Sequence, residues 1–259
     1  MWDSGNLVVD RDGTGIVVVT IDSPATRNAI PPSGWRDLAR LFRDLTERAE
    51  DRVIILTGAG GDFCSGMDLG AQMAATSAAE IMRLSSDAIN AVRDIPKPTI
   101  AAISGAAAGG GFSLALACDL AIAEQDARLS QVFVKHGLMV DTGSTWFLTH
   151  MLGLHRAKEL ALFGRSYSGA EMLALGLLNK VVAPGEGLAA AKQWARELLA
   201  LPAIVLAQTK EMLNLASEGG FRESLHRECM AQGFNTATED MKEGVSAFLE
   251  KRTPVYRGR

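Results

Sequence analysis

The sequence predicts an α/β layer fold, with the layered core followed by a helical C-terminal region. Three observations predict it. Short β-branched runs recur through the first two-thirds of the 259 residues. Amphipathic helical patterns lie between those runs, as strand–helix alternation in a layered sheet requires. After about Val182 the strand pattern stops and helical patterns follow one another.

The elements take this order. Gly15–Ile21 and Arg52–Thr57 are continuous apolar runs and read as buried strands, as does Thr99–Ile103; Leu120–Ala123 is a weaker candidate. Ser33–Ala49 places Trp35, Leu38, Leu41, Phe42 and Leu45 at helical spacing with charges opposite. Ala78–Ile95 does the same through Ile81, Leu84, Ala88 and Val92, and stops at Pro96. Beyond Val182, Gly187–Leu201, Ala203–Ala216, Phe221–Gln232 and Ala237–Lys251 read as helices punctuated by Pro202 and Gly219–Gly220. The expected division is therefore a core over residues 1–186 and a helical region over residues 187–259.

Composition narrows the function classes. Hydrophobic residues make up 47% and charged residues 22%, which supports a sizeable core. A net charge of −4 without a Lys/Arg run argues against a nucleic-acid partner. Apolar runs are too short to cross a bilayer, so no membrane association is expected, and the N-terminus does not resemble a signal peptide. Three widely spaced cysteines show no metal-ligand pattern, which suits a reduced, cytoplasmic setting. No metal, flavin or nicotinamide is implied.

Two glycine-containing segments carry the chemistry: RVIILTGAGGDFCSGMDLG over Arg52–Gly70, and TIAAISGAAAGGGFSLALACDLAIA over Thr99–Ala123. In both, the pattern reads as a strand, a tight turn of small residues and a helix. Free N–H groups at such an entry suit an anion or a developing oxyanion, and glycine lets the oxygen come close. The bland alternative is close helix–sheet packing. A dinucleotide fingerprint fails, because neither Gly13-Thr14-Gly15 nor Gly58-Ala59-Gly60 has the third glycine.

Taken together, these segments resemble the motifs of the crotonase (enoyl-CoA hydratase/isomerase) superfamily, and the likeness continues at Asn28-Ala29, Gly176–Val182 and Glu243–Pro254. The resemblance implies a repeated ββα spiral core with a C-terminal helical oligomerisation region. It implies an acyl-CoA thioester substrate whose CoA moiety is not a separate cofactor. The N–H groups of Met67 and Gly110 would form the oxyanion hole, and Arg27, Ala29, Ser65, Asp68 and Leu69 would line the CoA-binding stretch. Two such donors stabilise an enolate oxygen by roughly 3–4 kcal/mol each. For Asp68 the better reading is a helix N-cap.

The acid–base residues set the expected reaction. The family's two glutamates would fall at Ser113 and Phe133, so both carboxylates are missing. Hydration needs one group for the water and another for the α-carbon proton. Instead, HGLMVDTGSTWFL (His136–Leu148) resembles the aspartate segment of ring-epoxide and enoyl-CoA isomerases, with Asp141 at the aspartate. A single carboxylate suffices to carry a proton between two carbons, and Phe133 and Met139 would raise its pKa. Val140 and Ser144 depart from the pattern's proline and glycine. The competing reading of Asp141 is a cap on the following helix. A serine hydrolase built on Ser113 is a rival, but that serine lies within a helix rather than on a strand end. Two further rivals are a non-catalytic CoA-thioester binder and a hydratase working through Asp141.

Finally, the resemblance implies that Phe248 and Lys251 reach the adenine end of CoA bound to a neighbouring subunit, in a homotrimer or dimer of trimers. An aromatic ring packs on adenine and a lysine pairs with phosphate. The competing reading of Phe248 is that it fills a core position.

Overall fold

The structure is a computed structural model that describes residues 6–73 and 77–259. Its main sheet has six strands: β1 (Leu7–Arg11), β2 (Ile16–Ile21), β3 (Val53–Gly58), β4 (Thr99–Ile103), β6 (Leu120–Glu124) and β9 (Lys180–Val182). They lie in that order, with β1 antiparallel to β2 and every other pair parallel. Side chains alternate between two cores, as period two demands. Val17, Val19, Ile54, Leu56 and Ala101 face one core, while Ile16, Val18, Val53, Ile55 and Ile100 face the other. Burial on both faces is why these strands read as continuous apolar runs.

The first face is covered by α1 (Pro32–Glu47) and α3 (Ala78–Asp94), which present the stripes expected from the sequence. Ser77 caps α3 by accepting the Glu80 N–H at 3.3 Å. The opposite face is covered by α7 (Gly187–Leu199), whose Ala190, Ala191 and Ala195 are buried against the sheet. No strand follows residue 186, yet the layered core runs on through α7. Small alanines let this helix lie close, and that packing is invisible to helical periodicity.

A second sheet holds three short strands: β5 (Ala106–Ala108), β7 (Arg128–Ser130) and β8 (Ser166–Ser168). Helix α4 (Gly110–Ala117), whose residues are all buried, packs against strands of both sheets, and α5 (Ser144–Phe163), broken at Gly153 (φ 72°), packs on α4 with much of its surface exposed. An all-apolar helix belongs in a core. The capping box of Ser168 and Glu171 opens α6 (Gly169–Leu175). The remaining helices α8 (Ala203–Ala216), α9 (Phe221–Asn235) and α10 (Glu239–Glu250) match the expected helical region within a few residues. They leave large apolar side chains exposed, Leu213, Phe221, Phe234, Phe248 and Leu249 among them. Among the described residues, no single helix is long and apolar enough to cross a membrane.

Candidate active site

The two glycine segments differ in detail from the expected strand–turn–helix. After β3 the chain runs through ten residues before the short α2 (Leu69–Met73), and β5 intervenes before α4. These detours bring the two segments together, so that Met67 and Gly110 line one cavity. Residues 66–68 pair with Ile30 as an isolated parallel bridge: Ile30 N–H donates to Gly66 C=O at 2.8 Å, and Asp68 N–H donates to Ile30 C=O at 3.0 Å. In a parallel ladder, successive residues point their polar groups to opposite sides, so the Met67 N–H faces away from Ile30. Cys64 pairs with Ala107 in the same manner, which draws the segment onto the start of α4.

The closeness is measurable at the glycines. A Cβ on Gly66 (φ +100°) would lie 2.8 Å from Ala108 C=O and 3.2 Å from Gly110 N. On Gly111 it would lie 2.2 Å from Cys64 C=O. Gly110 is the first residue of α4, where the N–H has no partner one turn earlier. Among the described residues, neither the Met67 nor the Gly110 N–H donates a hydrogen bond. Two unpaired donors lining one cavity, one of them on a helix N-terminus, have the chemistry that suits a developing oxyanion.

This cavity has a volume of about 490 Å³, and Ser65, Met67, Leu69, Gly110 and Asp141 all line it. The rest of its lining is largely apolar: Trp35, Met82, Val132, Phe133, Leu138 and Met139. Burial pushes the Asp141 carboxyl above the usual range, and the neighbouring Thr142 hydroxyl partly opposes this without forming a well-aligned bond. Asp141 does not cap α5. Gly143 (φ 81°) holds the cap position, and no side-chain capping bond is made there. Thr142, at φ 51°, and Gly143 form a left-handed pair that turns Asp141 toward the cavity.

The other expected residues lie elsewhere. Asp68 acts as a cap, accepting the Ala71 N–H at 3.0 Å. Arg27 and Ala29 are not on the cavity wall; the Arg27 C=O accepts the Ser65 N–H at 2.9 Å, and the Arg27 side chain is exposed. Fully buried Asn28 fixes this stretch, donating to Ala59 and Asp62 carbonyls at 2.8 and 2.6 Å and accepting the Ser23 N–H at 2.9 Å. Phe248 is 82% exposed, and Lys251 is exposed at the end of α10, so neither reaches this chain's own cavity.

Several cavity residues carry no local signal in the sequence. Trp35 reads as one more member of the α1 stripe, yet its ring edge lies 3.4 Å from a Cβ position on Gly110. His136, at the end of a 3-10 turn, lines the same cavity, and with Asp141 it completes the titratable groups among the described lining residues. Ser113 is absent from the wall: it is fully buried in α4, and its hydroxyl is bound to Ser144.

Comparison with known proteins finds relatives along nearly the whole chain. A family model described as enoyl-CoA hydratase/isomerase matches residues 11–259. A probable enoyl-CoA hydratase of Rhodobacter capsulatus is 36% identical over 253 residues, covering 95% of each chain. The 1,2-epoxyphenylacetyl-CoA isomerase of Escherichia coli is 32% identical over 251 residues, covering 95% of this chain and 96% of its own. The solved structure of an enoyl-CoA hydratase from Bacillus anthracis superposes with a TM-score of 0.94 at 31% identity, covering 98% of this chain and all of the other.

Proposed function

The chain belongs to the enoyl-CoA hydratase/isomerase family, and we propose that within it the protein is an acyl-CoA isomerase that uses Asp141 as its proton carrier. The observation that carries this reading is the cavity's acid–base content. Asp141 is the one carboxylate among the described lining residues, and it shares the cavity with the unpaired N–H groups of Met67 and Gly110. The thioester carbonyl oxygen accepts both N–H bonds. Asp141 takes the α-proton of a 3-enoyl thioester, leaving a dienolate whose negative oxygen the two N–H groups hold. The Asp141 carboxyl, which exchanges its proton with solvent, then protonates the γ-carbon, so the double bond moves to the α,β position and the carbonyl re-forms. Atoms balance with no redox partner, so no cofactor beyond the substrate's CoA is required. The two N–H donors bind the oxygen more strongly as charge builds on it, which is where catalysis comes from.

The hydratase reading keeps one specific support besides the names of the relatives: His136 is a second titratable group on the cavity wall. The two readings separate in one assay. Incubated in deuterated solvent with a panel of 2- and 3-enoyl-CoA thioesters, the protein should exchange an α- or γ-proton faster than it hydrates. Hydration of crotonyl-CoA that outpaces every exchange would establish the hydratase instead. The two buried cysteines, Cys64 and Cys118, are free thiols, which suits a reducing cytoplasm.

We also assign the adenine end of CoA to a neighbouring subunit's Phe248 and Lys251, within a trimer or dimer of trimers. Support comes from their exposure beside other apolar residues of α9 and α10. Lys251→Ala should then raise KM for CoA thioesters and leave kcat nearly unchanged, because the adenine end binds ground and transition states alike. A fully active monomer by light scattering would overturn this assembly.

A further inference from the structure

Ser113 and Ser144, the two serines that depart from the motif patterns, meet inside the protein. Their hydroxyl oxygens are 2.6 Å apart, and both residues are fully buried. The contact closes a ring. The Ser113 N–H donates to Gly109 C=O at 3.0 Å, which leaves the Ser113 hydroxyl hydrogen for Ser144, and the Gly109 N–H donates to Ser130 C=O at 2.9 Å. The next residue, buried Gln131, accepts the Ser144 hydroxyl through Oε1 at 3.2 Å. The ring thus joins the residue before the Gly110 donor, the end of β7 and the first turn of α5.

Ser144 is also tied to the proposed proton carrier, because its N–H donates to Asp141 C=O at 2.9 Å. That bond spans the left-handed pair Thr142–Gly143, a conformation a threonine holds only when its surroundings impose it. Neither serine lines the cavity, so neither can touch substrate directly.

We propose that Ser113 and Ser144 are positioning residues: their hydrogen-bonded ring fixes the Asp141 turn against the oxyanion-binding end of α4. This rests on Asp141 being the proton carrier. Rates of proton transfer depend steeply on such placement, since a misplacement of about 1 Å can cost on the order of 10²-fold. The ring ties together two residues 31 apart in sequence, one on α4 and one on α5.

The test compares Ser113→Ala, Ser144→Ala and the double variant in the full-length protein, with kcat measured per folded molecule by deuterium exchange. Each single variant should lower kcat about tenfold with KM within about twofold. The double variant should be no worse than either single one, because the ring is already open. The acidic limb of the kcat–pH profile should move to lower pH as the loosened turn lets water reach Asp141. Folded variants with unchanged kcat and an unmoved limb would overturn the proposal, and so would losses that multiply in the double variant. Asp141→Asn is assayed in parallel. If it retains turnover, the base assignment and the ring's role fall together. If it loses turnover while the serine variants do not, only the ring's role falls.

Discussion

Replacing Asp141 by asparagine is expected to lower isomerase turnover by roughly 10²–10⁴, the usual contribution of a general base. Asparagine keeps the size and the backbone turn but cannot take a proton. The fold should not suffer. The native pKa of Asp141 is raised by burial, so the folded state binds the proton more tightly than the unfolded one. Such a group supports stability below its unfolded pKa and loses that contribution as pH rises through the native value. Above that window the carboxylate is a burden on the fold, and Asp141→Asn should be at least as stable as the native protein at neutral pH. In the native enzyme, activity should fall as pH drops through the raised pKa, because only the ionised form accepts a proton. Thermal unfolding, kcat and its acidic limb together check the assignment. A folded variant with full turnover would remove Asp141 from the mechanism.

How much of this was legible in the sequence depends on the range of the interaction concerned. Strands β2, β3 and β4 are buried on both faces, so each appears as an uninterrupted apolar run. The stripes of α1 and α3 were equally clear, because one face of each meets a single continuous core. The strands β5, β7 and β8 have three residues each, too few to display a period. The hairpin strand β1 hides its alternation, because apolar Val8 stands at the outward-facing position between buried Leu7 and half-buried Val9.

At the site, the donors on Met67 and Gly110 are backbone groups that no side-chain spacing encodes, so the motif resemblance alone pointed to them. Asp141 and the buried, apolar Phe133 that lines the same cavity were readable because they are close in sequence; Met139, expected to help bury the carboxylate, also lines the cavity but is 75% exposed. Trp35 was hidden, since a tryptophan that walls a cavity and one that fills a core occupy the same helical stripe. His136 has no partner spacing in the sequence that separates it from an ordinary histidine; the 3-10 turn before Gly137 carries it to the cavity wall. The contact between Ser113 and Ser144 has no local signature at all; it exists because α4 and α5 converge.

Gly66→Ala is the second substitution expected to have a large effect, acting on both stability and turnover. At φ +100° an alanine is strained by about 1–3 kcal/mol whatever surrounds it. Its methyl group would also sit 2.8 Å from Ala108 C=O and 3.2 Å from Gly110 N, closer than carbon packs against either. Relief requires the 66–67 peptide to move away from α4, which separates the Met67 and Gly110 donors. Losing one such donor typically costs 10²–10³ in kcat, and a comparable drop is expected here with a lower unfolding temperature. Gly61→Ala isolates the strain component: its φ is +89°, but nothing lies within 4 Å of the added methyl. That variant should lose stability and keep turnover. If Gly66→Ala behaves the same way, losing stability while kcat stays native, then the peptide between Gly66 and Met67 does not hold the reacting oxygen. If kcat collapses in Gly66→Ala alone, the close approach of this peptide to the start of α4 is what positions the donors, and glycine is required there for its missing Cβ as well as for its backbone freedom.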